Sequence, residues 1–210
     1  MPANSQKALK NRPKNAFCSR LVLLALAFAI TACSTPQPPT LKTVYDFGPV
    51  LTAPVQSTPK RAAIALPEIE ASGSLSSPAL LYRLQYSNAQ ELRPYAAARW
   101  SVLPAQLVRE RIRDALAAQG PVLSTEGQAT YTLRIELDEF SQVFESPSSS
   151  FGLVRLRASL LKNDQLASQT TLLTRAPAAS QDAAGGVKAL TAATDDALRQ
   201  LAAWLATHIK

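Results

Sequence analysis

The sequence predicts an α+β domain, a mostly antiparallel sheet with two amphipathic helices packed on one face. Three observations predict it. Segments such as "LLYRLQY" and "ATYTLRIELDEF" alternate apolar and polar residues with a period of two, the pattern of strands buried on one face and solvated on the other. Two other segments, around residues 101–120 and 187–205, repeat apolar residues at helical spacing. Their order is strands, helix, strands, helix, which separates helices from a sheet instead of alternating them with single parallel strands.

The amino-terminal residues belong to neither kind of element. Lys7, Lys10, Arg12, Lys14 and Arg20 form a basic stretch with no acidic residue, and the apolar run "LVLLALAFAI" covers residues 21–30. That run is about half of the roughly 20 residues a membrane-spanning helix needs, and it matches the apolar core of a secretory signal. Ile30, Thr31, Ala32 and Cys33 then resemble the bacterial lipobox, an aliphatic residue and two small ones ahead of a cysteine. The resemblance implies that the Cys33 thiol receives diacylglycerol, that the chain is cut before it, and that the new amino terminus is acylated. Several acyl chains, at about 0.8 kcal/mol per buried methylene, anchor a protein stably where one chain is marginal. The alternative is an ordinary signal peptide with an accidental cysteine. Ser34 follows, not the aspartate that resembles an inner-membrane retention signal, so the periplasmic face of the outer membrane is expected.

The expected organisation is a lipoprotein signal peptide at residues 1–32, a lipidated cysteine and flexible tether at 33–41, and one periplasmic domain at 42–210. The tether contains "STPQPPT", whose prolines favour extended backbone and cannot supply strand hydrogen bonds. Cleavage changes the meaning of the composition. The whole chain carries a formal charge of +7, but removing the five basic residues before Cys33 leaves 17 basic against 15 acidic. A nucleic-acid reading loses its support, since it needs a concentrated basic face. Cys18 also leaves, so the mature chain holds neither a disulfide nor a thiolate metal site. No cofactor is expected beyond the covalent lipid.

Within the domain, "KTVYDFG" reads as a first strand. "RAAIALPEIE" reads as a second, with Ala62, Ile64 and Leu66 on one face until Pro67 confines pairing to an edge or strand end. In "LLYRLQY", Leu80, Tyr82, Leu84 and Tyr86 alternate with Leu81, Arg83 and Gln85; "SNAQ" turns the chain, and "ELRPYAAARW" returns as an irregular strand. Leu103, Leu107, Val108, Ile112, Ala115 and Leu116 mark an amphipathic helix, with Ser101 as its N-cap, Pro104 in its first turn and Gly120 at its carboxyl end. Tyr131, Leu133, Ile135 and Leu137 alternate strictly until the phase slips at Glu139, which predicts a bulge before Phe140. After the polar "SPSSS", two strands join near Asn163 and Asp164; with no glycine there, a loop longer than two residues is expected. Val187, Leu190, Ala193, Ala197, Leu198, Leu201, Trp204 and Leu205 mark a long final helix.

The lipobox and tether, "VYDFG", "LLYRLQYSNAQELRPYAAARW", the helix after it, "LRIELDEF" and the alanine-rich final helix together resemble the ABC-type transport auxiliary lipoprotein family. That family includes the lipoprotein subunit of the paraquat-inducible Pqi system. The resemblance spans essentially the whole mature chain. It implies an outer-membrane lipoprotein that works with a Mce-domain periplasmic protein and the subunits of an inner-membrane ABC transporter, moving phospholipids or other hydrophobic molecules. It supplies no catalytic residues. It singles out Tyr82, Arg83, Tyr95, Arg99 and Trp100, of which Arg83, Arg99 and Trp100 are candidate partner contacts.

Each of these has a plainer reading beside it. Tyr82 alternates with apolar neighbours and reads as core, which leaves Arg83 on the solvated face. Trp100 is either a hydrophobic staple against the helix that follows or an exposed anchor. Arg99 caps, pairs with a carboxylate or binds a partner. Arg109, Arg111 and Arg113, interspersed with Glu110 and Asp114, read as a solvated helix face, and Arg155 and Arg157 as cross-strand partners of Glu136 and Asp138, with a lipid-headgroup site as the bolder alternative.

Enzymatic readings find little to stand on. His208 is the lone histidine, the serines have no GxSxG elbow, and Asp195 and Asp196 are adjacent on a helix and point apart. The chain is expected not to be an enzyme. The runner-up to transport is a structural or assembly lipoprotein that binds an outer-membrane protein or cell-wall enzyme.

Overall fold

The computed structural model describes residues 41–49, 61–125 and 129–209. The expected signal peptide, Cys33 and the tether up to residue 40 lie outside the described residues.

The frame of the domain is a meander of three long strands. β7 (Tyr131–Ser146), β8 (Ser149–Lys162) and β9 (Gln165–Pro177) pair antiparallel along nearly their whole lengths. In β7 the core-facing residues are Leu133, Ile135 and Leu137, then Phe140, Gln142 and Phe144. The parity changes at the register shift between Leu137 and Glu139, where the sequence slips phase. One extra residue there keeps both halves of the strand facing the core. On β8 the matching face carries Val154, Leu156, Ala158 and Leu160, all fully buried.

The free edge of β7 is filled by three short strands placed end to end, each parallel to it. β2 (Ile64–Ala65) pairs at Tyr131 and Thr132, β3 (Glu70–Ala71) at Glu136 and Leu137, and β4 (Ala79–Leu84) at Gln142 to Phe144. Beyond β2 lies β6 (Val122–Leu123), and beyond β4 lie β5 (Arg93–Trp100) and β1 (Thr43–Tyr45). Among the described residues the result is a nine-stranded mixed sheet. Its long pairings are antiparallel as expected, and the short strands add the parallel ones, because they run across from separate excursions of the chain rather than returning by hairpins.

Helix α1 (Pro104–Ala117) and helix α2 (Ala183–His208) share one apolar core with the inward residues of β7 and β8. Gly152 of β8 lets α2 lie directly on the sheet: a Cβ there would come within 2.5 Å of the Ala189 carbonyl carbon and the Leu190 nitrogen. The opposite face of β7 and β8 carries Arg134, Glu136, Asp138, Arg155 and Arg157. There Arg157 Nη1 pairs with Glu136 at 3.0 Å and Nη2 with Asp138 at 3.4 Å, and Arg155 reaches Asp138 at 3.5 Å.

Several local expectations are corrected. The N-cap of α1 is Leu103, not Ser101, and Pro104 opens the helix, where its missing N–H costs nothing. Gly120 lies past the helix and is needed because a Cβ would come within 2.6 Å of the Arg61 carbonyl oxygen. The β8–β9 connection is a two-residue turn, with Asn163 and Asp164 both at positive φ (50° and 63°), the geometry that Asn and Asp tolerate better than other non-glycine residues. The "SPSSS" segment is mostly strand, since Ser146 pairs with Ser149 and only Pro147 and Ser148 turn.

Candidate functional site

Two of the residues singled out by sequence, Tyr82 and Tyr95, meet where β4 and β5 approach the start of α2. β4 and β5 are antiparallel, which brings the rings of Tyr82 and Tyr95 to a centroid distance of 4.7 Å, with Phe144 of β7 5.9 Å from Tyr82. The Tyr95 hydroxyl donates to Gln142 Oε1 at 2.8 Å, and Gln142 Nε2 donates to Ser150 Oγ at 2.8 Å. Gln142 is wholly buried, so this chain satisfies an amide that would otherwise be costly to bury. Burial, then the neighbouring Tyr82 and Asp182, push the Tyr95 hydroxyl well above its ordinary pKa. Tyr95 is therefore a neutral donor.

Helix α2 closes over this chain with two glycines. A side chain at Gly186 would overlap the Gln142 amide, and one at Gly185 would overlap Ser180. Between them and the loop sits the N-cap Asp182, whose Oδ1 accepts the Gly185 N–H and the Ser180 hydroxyl, both at 2.7 Å. These bonds hold its carboxyl below the usual carboxylate range. A groove of about 210 Å³, lined by Thr43, Tyr45, Tyr95, Ala97 and the first residues of α2, opens beside this cap. A second cleft, of about 480 Å³, runs between the "VYDFG" segment and Val187, Lys188, Thr191 and Asp195 of α2.

Trp100 is not an interface anchor. It is fully buried, with Phe47 edge-on at 5.7 Å and Phe140 at 5.5 Å, so β1 and its flanking Phe47 cover it. Tyr82 is half-buried rather than core, because β4 ends at Leu84 and the face it begins is open beyond that point; Tyr86 is 49 % exposed. Arg83 does lie on the face away from the helices, yet it is occupied: Nη2 donates to Glu139 at 3.1 Å and Nη1 approaches the Ala89 carbonyl at 3.4 Å. It ties the β4–β5 turn to the sheet. Arg99 keeps more freedom, with one hydrogen bond from Nη1 to the Trp100 carbonyl at 3.2 Å.

Two arginines of α1, Arg109 and Arg111, are structural, which corrects the expectation of a solvated face there, while Arg113 stays exposed and reaches only its neighbour Asp114 at 3.3 Å. Arg109 donates to the carbonyls of Pro67 at 2.9 Å and Leu66 at 3.1 Å, fastening the chain after β2. Arg111 grips Asp195 of α2 through two bonds of 2.8 and 3.0 Å. Asp196 turns the other way, to Arg199. Arg61 is 7 % exposed, and its Nη2 donates to the Leu116 carbonyl at 3.1 Å, capping the end of α1 with a cation. His208 lies against Trp204 at the end of α2, 5.0 Å between ring centroids. The sequence signal for the Tyr95–Gln142–Ser150 chain was weak; the adjacent glycines at 185 and 186, at the start of a helix, were its one visible trace.

Residues 45–206 match the family described as the ABC-type transport auxiliary lipoprotein component. The chain belongs to this family. The match to the ABC-type transport auxiliary lipoprotein family runs from the end of β1 to the last turns of α2, so it includes the Tyr95–Gln142–Ser150 chain, Asp182 and the two glycines that close over it. Among solved structures, protein XCC0632 from Xanthomonas campestris is similar in fold, with a TM-score of 0.67 at 20% identity, covering 78% of this chain and 94% of that one. A hypothetical protein, CT253 from Chlamydia trachomatis, gives a TM-score of 0.50 at 10% identity, covering 69% of this chain and 95% of that one. A comparison with curated proteins finds no match. As a member of this family the protein is an auxiliary component of a transport system, associated with transporter components and with the cell envelope. Among the described residues no helix is long and apolar enough to cross a membrane.

Proposed function

We propose that this protein is a lipid-anchored, non-catalytic accessory of an intermembrane transport system. In this reading it works with a Mce-domain periplasmic protein and an inner-membrane ABC transporter to move phospholipids or other hydrophobic molecules. Cys33 carries the acyl chains, and Ser34 directs the protein to the periplasmic face of the outer membrane. The observation that supports this reading is the conjunction of the family match over residues 45–206 with the lipobox-like Ile30, Thr31, Ala32 and Cys33 a short tether ahead of it.

The site's chemistry suits an accessory. Its polar groups are largely satisfied by one another, as Tyr95, Gln142 and Ser150 are, or serve as ties, as Arg83, Arg109 and Arg111 do. Such a domain offers shape and surface rather than a reactive group.

Two measurements test the reading. Labelled palmitate should enter the wild-type protein and not the Cys33→Ala variant, and the label should fractionate with the outer membrane. Deleting the gene should slow the exchange of labelled phospholipid between the two membranes, and restoring the wild-type gene, but not Cys33→Ala, should recover it. Unchanged lipid exchange would favour a structural or assembly lipoprotein instead.

A further inference from the structure

Six large apolar side chains stand well exposed among the described residues, and they are not scattered evenly. Leu166 and Leu173 lie on β9 at one edge of the sheet, and Tyr86 lies just past β4. The other three, Leu41 (94 % exposed), Val44 (49 %) and Val102 (38 %), gather at the opposite edge, around β1. Val44 pairs with Arg99 across the β1–β5 ladder. Val102 follows Ser101, whose N–H donates to the Tyr45 carbonyl at 2.7 Å.

The same corner carries three cations. Lys42 is exposed beside Leu41, Arg99 makes no ion pair among the described residues, and Lys188 of α2 lines the cleft next to Val44. Of the three nearby carboxylates, Asp195 is held by Arg111, Asp182 is the N-cap of α2 near Lys188, and Asp46 accepts the Gly48 N–H at 2.8 Å. Exposed apolar groups flanked by cations are the pattern of a surface that rests in the headgroup layer of an anionic membrane.

The chain itself says which surface that is. Leu41 is eight residues from Cys33, so whatever the tether's conformation this corner lies within about 30 Å of the acylated residue. Resting on acylation at Cys33, we propose that the β1 corner is a second membrane contact: Leu41, Val44 and Val102 enter the headgroup boundary while Lys42, Arg99 and Lys188 meet lipid phosphates. This contact fixes the orientation of the domain, with β1 toward the bilayer and β9 turned away.

The test uses the full-length lipoprotein, reconstituted in vesicles of phosphatidylethanolamine and phosphatidylglycerol. An acylated Cys33 leaves no other thiol in the mature chain, so single cysteines introduced by Val44→Cys, Val102→Cys, Leu166→Cys and Leu173→Cys can each take a bimane label. With a quencher carried on the lipid near the headgroup, positions 44 and 102 should be quenched at least about twofold more than 166 and 173, as immersion at the boundary requires. Reversing both charges, Lys42→Glu with Arg99→Glu, should remove most of that difference. Equal quenching at all four positions overturns the proposal, and a difference untouched by charge reversal overturns the role of the cations. Failure of the anchor is distinguishable: the wild-type protein would then take the label at Cys33 itself and would not float with the vesicles.

Discussion

The hydroxyl of Tyr95 on β5 donates to the buried amide oxygen of Gln142 on β7 at 2.8 Å, although β4 lies between the two strands. This bond joins the short strands of one sheet edge to the long meander. Tyr95→Phe leaves Gln142 Oε1 buried without its donor, and should cost about 1–3 kcal/mol in urea unfolding. In a double-mutant cycle with Gln142→Leu the two losses should couple by at least about 0.5 kcal/mol, since the residues touch. Strict additivity would show that the bond contributes nothing.

Gly152 sets the distance between sheet and helix. Gly152→Ala drives a methyl into the backbone of α2 at Ala189 and Leu190, and should destabilise the domain by about 1–3 kcal/mol, as overpacked cores do. Gly73→Ala is the control, because a Cβ there meets nothing within 4 Å. Equal melting temperatures for the two variants would mean that α2 does not sit on β8 as described.

The β8–β9 turn is strained by its residues. Asp164 holds φ at 63°, a conformation that is unfavourable for L-residues and free for glycine. Asp164→Gly should raise stability by about 0.5–1 kcal/mol, and Asp164→Val should lower it by at least as much.

Acid should loosen the start of α2. The Asp182 carboxyl is held low mainly by the Gly185 N–H and then by the Ser180 hydroxyl. Its stabilising effect is therefore complete above the ordinary carboxylate value of about 4 and lost as the pH falls through the lower folded value. Thermal melts of wild type should fall on acidification below about pH 4 more steeply than those of Asp182→Asn, which keeps an acceptor oxygen but does not titrate.

The sequence made some of these elements legible because their causes are local. The alternation in β7 and its slip at Glu139 located both the strand and its bulge, and the apolar spacing from Val187 to Leu205 located α2. The antiparallel frame followed from half-solvated strands. What could not be read was decided by distant parts of the chain. Nothing in "ALLYRL" says that it runs parallel to residues 142–144, and a two-residue ladder such as β2 leaves no period to detect. Arg109 and Arg111 look like any solvated helix arginine until the carbonyls after β2 and the carboxylate of Asp195 are brought to them. Trp100 went into the core because Phe47, more than fifty residues earlier, covers it. Of the expected contacts, Arg99 is the one that the fold leaves at an open corner.

Partnership with a transporter is the central claim, and affinity purification of the full-length lipoprotein from crosslinked native membranes tests it most directly, with Cys33→Ala as the control and mass spectrometry of what is retained. Recovery of a Mce-domain protein with ABC-transporter subunits, reduced when Cys33 is replaced, is the predicted result. Recovery of outer-membrane assembly or cell-wall proteins alone, with no transporter subunit, would contradict it.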